Sequence, residues 1–216
     1  MFFQIFSILG IGLILWWVYS AQKTNSKIKE GLSIWIKKQI YDTWQPFKNY
    51  KYLRSTDFFY LVKKVIYLVT TLCVLILGLT GFIPVIFFGQ HLSGVLLILH
   101  VSVAPVFAIC MALIALFWAH QNQFLPGDWG WFKQLFNQAG NKNLALSEKS
   151  ISGEKVGFWL LLFISLPLIL SILLSMFKFF GTAGQAFLLQ LHGYCALFFI
   201  LIAIVHTYLI ILNQKE

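Results

Sequence analysis

Acidic residues are scarce in this sequence, seven Asp and Glu among 216 positions, and none falls inside any of its long apolar runs. A proton-coupled transporter is expected to carry carboxylates within the membrane, so their absence weighs against that class. Cysteine is equally sparse. Cys73, Cys110 and Cys195 each sit within a separate apolar run, a placement that suggests no disulfide framework. No Cys-x-x-Cys-His motif occurs, so a covalently attached c-type haem is not expected. Charged residues make up only 11% of the chain against 59% hydrophobic, which excludes the soluble globular class.

What is present is a set of apolar runs long enough to cross a bilayer, which needs about 20 residues per helix. Five are expected as helices: Phe2 to Ser20, Leu61 to Phe88, Ser93 to Ala119, Val156 to Met176 and Ala186 to Leu212. They show no strand-length alternation, so a barrel is excluded. The fold class is therefore all-α, a polytopic membrane protein. Its organisation divides into an N-terminal transmembrane helix over residues 1–20, a basic amphipathic segment over 21–60 and a four-helix membrane domain over 61–212. Val18-Tyr19-Ser20 resembles a signal cleavage site, but no basic n-region precedes it and basic residues follow, so the first run is kept as a helix.

Charge fixes the expected topology. Of 16 Lys and Arg, only Lys178 lies in the loops that five spans would place opposite the rest. The positive-inside rule then puts the N-terminus outside and the C-terminus in the cytoplasm; a place in a bacterial inner membrane is expected. Trp16, Trp17, Trp118 and Trp159 fall at the inner ends of their helices, where interfacial anchors belong. The net charge of +9 is accordingly a topological signal and a lipid contact, and no nucleic-acid partner is expected. The segment 21–60 reads as lying on the inner membrane surface. Turn chemistry at Leu125-Pro126-Gly127-Asp128 and a short amphipathic helix through Trp129 and Phe136 are expected in the long inner loop.

Histidine carries the chemistry. His192 and His206 lie in one apolar run, 14 residues and so about 21 Å apart along a helix, within about 40° of one face. Ala196 and Ala203 share that stripe and leave room beside it. His100 lies inside the third run, about seven residues from its outer end, with Ala104 and Ala108 on its face. His100 and His192 therefore fall at the same depth, on helices running in the same direction. Two imidazoles at one depth of a helical bundle are what a six-coordinate haem b needs; a buried imidazole bonded to a backbone carbonyl is the alternative. His91, in the outer loop, and His120, at an inner helix end, read as solvated. At the level of His206 the second run offers Tyr67, with Lys63 and Lys64 one turn earlier, and no histidine.

These residues resemble the cytochrome b subunit family of membrane-bound formate dehydrogenase, nickel-iron hydrogenase and thiosulfate reductase. The match is carried by the run His192 to His206; by His100 and the span ending Phe117-Trp118-Ala119-His120-Gln121-Asn122; by Gly153-Glu154-Lys155 before Phe158-Trp159; and by Leu79-Thr80-Gly81. It covers roughly residues 57 to 212. The resemblance implies a four-helix haem-binding bundle with two haems b stacked across the membrane, relaying electrons between an outer-side partner and quinone. His100 and His192 fall on the axial ligands of the outer haem iron and His206 on one ligand of the inner haem. The family's fourth histidine falls on Tyr67, and its amide before the Gly-Gln-Lys-like turn is replaced in Ser150-Ile151-Ser152. One haem b is thus expected, a second would need an unusual ligand pair, a five-coordinate iron or a ligand from another subunit, and a quinone site on the inner side is in question.

The expected function is an electron-transfer subunit of the respiratory chain, non-catalytic in itself. It would work between an outer iron-sulfur or cytochrome c protein and the quinone pool. The alternative is a degenerate relative that anchors a respiratory complex with little or no redox role.

Overall fold

The computed structural model describes residues 2–24, 37, 41, 55–89, 92–126, 128 and 146–213. Among the described residues five long helices follow in order: α1 (Phe2–Thr24), α2 (Ser55–Ile83), α3 (Gly94–Trp118), α4 (Leu146–Ser175) and α5 (Gly181–Asn213). A π-helical turn, Pro84–Phe88, prolongs α2, and a 3-10 turn, Lys178–Phe180, leads into α5. All five helices are long and apolar enough to cross a membrane, and the described residues contain no strand. The expected all-α polytopic bundle is the one adopted.

Hydropathy located the helices but set their ends too short. α2 begins at Ser55, α4 at Leu146 and α5 at Gly181, six, ten and five residues before their apolar runs. Glu148, Lys149, Glu154 and Lys155 are acceptable helix formers that a bilayer scale penalises. The expected amphipathic segment over 21–60, the short helix near Trp129 and His91 lie almost wholly outside the described residues.

Two antiparallel hairpins, α2 with α3 and α4 with α5, pack closely within themselves and touch one another more sparsely. They share one core at mid-height, formed by Cys73 of α2, Phe107 and Met111 of α3, Leu168 of α4, and Cys195 and Phe199 of α5. Phe107 and Phe199 meet edge to face, 5.5 Å between centroids, joining the hairpins.

The first helix lies along α5 in the same direction. Phe3 meets Tyr194 at 5.3 Å, Gly10 faces Leu201, and Trp17 meets Tyr208 at 5.1 Å. Each partner advances by seven residues on both helices, the seam of a left-handed parallel pair. Its first turn also reaches α2. The Gln4 side chain donates to the Val85 carbonyl at 2.7 Å, within a π turn, where the regular i to i+4 ladder is interrupted. Gly89, with φ +63°, closes that turn, and any side chain there would meet Gln4 at 3.0 Å.

Where α3 ends and α4 begins, the expected turn forms. The Asp128 N–H donates to the Leu125 carbonyl at 2.9 Å, and the Leu125 N–H donates back to Asp128 Oδ2 at 2.7 Å. Asp128 also accepts from Ser152 at 2.9 Å and from Lys155 Nζ at 2.7 Å, and so ties the loop to α4. A second tie runs from Trp159 Nε1 to the Asn122 carbonyl at 2.9 Å.

Burial would raise the Asp128 carboxyl, but the hydrogen bonds from Lys155, Leu125 and Ser152 outweigh it and hold it below its usual 3.8. A depressed carboxyl stabilises the fold above its unfolded value, and that contribution disappears as pH falls through the native value. Asp128→Asn is expected to cost about 2 kcal/mol at neutral pH, a charge-assisted bond lost beside a largely buried lysine. Thermal melts of variant and parent should converge in acid, where the parent carboxyl is protonated too; a deficit independent of pH would contradict the assignment.

Candidate functional site

His100 is the seventh residue of α3 and His192 the twelfth of α5. Because α5 starts earlier than its apolar run, the counts differ, yet the two rings face each other with centroids 6.4 Å apart and planes at 75°. They belong to different hairpins and meet on one side of the shared core. The equal depth expected from the sequence is therefore an observed contact.

Both rings are held at the same atom. His192 Nδ1 lies 2.9 Å from the Leu168 carbonyl of α4. A carbonyl only accepts, so Nδ1 carries the hydrogen. His100 Nδ1 lies 2.9 Å from Thr80 Oγ1 of α2. In His192 Nε2 is then the nitrogen left to offer a lone pair, and in His100 it is so when Thr80 Oγ1 accepts. A ring whose far nitrogen is fixed to an oxygen is the usual dress of a metal-binding histidine.

The separation suits a shared metal as well. A metal–imidazole bond is about 2 Å and a ring nitrogen lies roughly 1 Å from its ring centre, so two imidazoles across one ion place their centroids about 6 Å apart. Gly81 adds room beside His100, since a Cβ there would lie 3.4 Å from Cε1. The residues present at this level fit a bis-histidine haem.

His206 stands apart from this pair. Its ring packs on α4, where a Cβ added at Gly157 would come within 2.6 Å of its Nδ1. That nitrogen is buried and has no hydrogen-bond partner among the described residues. Of the other described histidines, His100 and His192 are engaged with each other, and His120 is exposed beyond the end of α3, 2.9 Å from the Gln123 amide. Among the described residues no group of three or more His, Cys, Asp or Glu side chains could hold a metal ion by itself.

Three contributors escaped the sequence reading. The Leu168 carbonyl has no sequence signature, being backbone. Gly157 showed only as a glycine at the start of an apolar run. Thr80 was visible within Leu79-Thr80-Gly81 but carried no role. The fourth run supplies supports to both His192 and His206.

A family model described as prokaryotic cytochrome b561 matches residues 59–216, which takes in α2 to α5 and leaves α1 outside. No curated protein and no solved structure matches the chain.

Proposed function

The chain belongs to the prokaryotic cytochrome b561 family, membrane b-type cytochromes of electron transfer that bind haem b, and from that premise we propose that it is the membrane-embedded electron-transfer subunit of a respiratory complex. It exchanges electrons between a redox partner on the outer side, an iron-sulfur or cytochrome c protein, and the quinone pool. His100 and His192 are the residues that would hold an outer haem b. The observation that carries this reading is the facing of two imidazoles from separate hairpins at 6.4 Å, each fixed through Nδ1. The distribution of Lys and Arg supports an outer N-terminus and a cytoplasmic C-terminus.

Bound haem supplies one-electron exchange, and the chain supplies position, potential and dryness. Thr80 and Leu168 hold the two rings, and the apolar core of Phe107, Met111 and Phe199 closes the space beneath them. His206 stands at the inner level with a buried Nδ1 that has no hydrogen-bond partner among the described residues, and an inner haem there would need a further ligand and an acceptor for that nitrogen.

The relay is tested in liposomes containing the purified protein, by adding a quinol and following the reduced haem band. Reduction by the quinol is expected. A haem that dithionite reduces and quinol does not would refute the quinone half of the relay.

A further inference from the structure

Thr80 is buried, 5% exposed, one residue before the glycine that makes room for His100. Its hydroxyl has a single hydrogen. The Ile76 carbonyl, 2.7 Å away, takes it, with the Leu77 carbonyl a poorer partner at 3.3 Å. Toward His100 the same oxygen must then accept, at 2.9 Å. A directed chain results: His100 Nδ1–H to Thr80 Oγ1–H to the Ile76 carbonyl. Each link polarises the next, so the hydroxyl accepts more strongly for donating.

The two histidines differ in what supports them. His192 leans on a backbone carbonyl, which no substitution of Leu168 removes. His100 leans on a side chain, so sequence can adjust its basicity at one position only. Donation from Nδ1 places electron density on the ring and strengthens it as a ligand, which favours the ferric over the ferrous state.

Resting on the axial-ligand assignment above, we propose that Thr80 is the positioning residue of the outer haem, fixing the tautomer and orientation of His100 and setting the haem potential. Thr80→Val keeps the shape and removes the acceptor, leaving a buried N–H unpaired; Thr80→Ser keeps the hydroxyl.

The test is a redox titration of the intact protein and both variants, with haem content and the low-spin electron paramagnetic resonance signal measured in parallel. Thr80→Val is expected to move the midpoint upward, a tenfold change in ferric preference reading as about 59 mV for a one-electron couple. Thr80→Ser stays near the parent. Loss of haem from the valine variant alone also supports the proposal. An unchanged potential and signal in Thr80→Val would overturn it, as would equal loss of haem from both variants, which would make the residue a matter of packing. Absence of haem from the parent protein would instead overturn the ligand assignment itself.

Discussion

His100→Ala and His192→Ala are each expected to remove the proposed outer haem while the protein still inserts in the membrane. Either change leaves one imidazole where two are needed for a six-coordinate iron, and the loss of low-spin haem is expected to be near complete. The rest of the bundle should tolerate it, because the core lies in Cys73, Phe107, Met111, Leu168, Cys195 and Phe199, and neither histidine belongs to it. The check is haem per chain by pyridine haemochrome, beside membrane yield and a far-ultraviolet helix signal. Full haem content in both variants would dismiss the pair as ligands.

The next largest effect is expected at Gly157. An added Cβ would stand 2.6 Å from His206 Nδ1 and 3.1 Å from the ring's own Cβ and Cγ, so the near end of a stiff side chain is in the way. Helix α4 must move off α5 or His206 must leave its position. Gly157→Val is expected to destabilise by about 1–3 kcal/mol through overpacking, despite ending the helix penalty of glycine. At Gly153 a Cβ would meet only the far end of Leu209, at 3.2 Å, and at Gly12 nothing within 4 Å. Thermal denaturation in detergent should therefore rank Gly157→Val well below Gly153→Ala, with Gly12→Ala close to the parent. Equal melting of all three would show that His206 does not need that space.

The depth of His100 and His192 was legible because helix rise turns sequence position into depth, and a charge-poor run marks where the count starts. Their facing each other was legible only as an inference from stripe and level. What holds them was not. A threonine on α2 reaches His100 only for one rotation of α2 about its axis, and a run such as Val69 to Thr80, apolar almost all round, encodes no rotation that hydropathy can read.

The same uniformity hid the seat of α1. Phe3, Gly10 and Trp17 form a seven-residue seam against α5, but they are flanked by residues just as apolar. The added helix places this face on its own chain. Its link to α2 runs through Gln4, the one amide in an apolar segment. At the inner level the sequence was informative through what is missing, a histidine opposite His206. The fold adds that His206 is seated on the glycine face of α4, its Nδ1 without a hydrogen-bond partner among the described residues.

The most direct test of the cytochrome assignment is the reduced-minus-oxidised optical spectrum of the purified protein, with haem quantified per chain by pyridine haemochrome. At least one haem b per chain is the predicted result, and two would bring His206 into the ligand set. A folded preparation from haem-sufficient cells that contains none would contradict the account and leave a membrane anchor in its place.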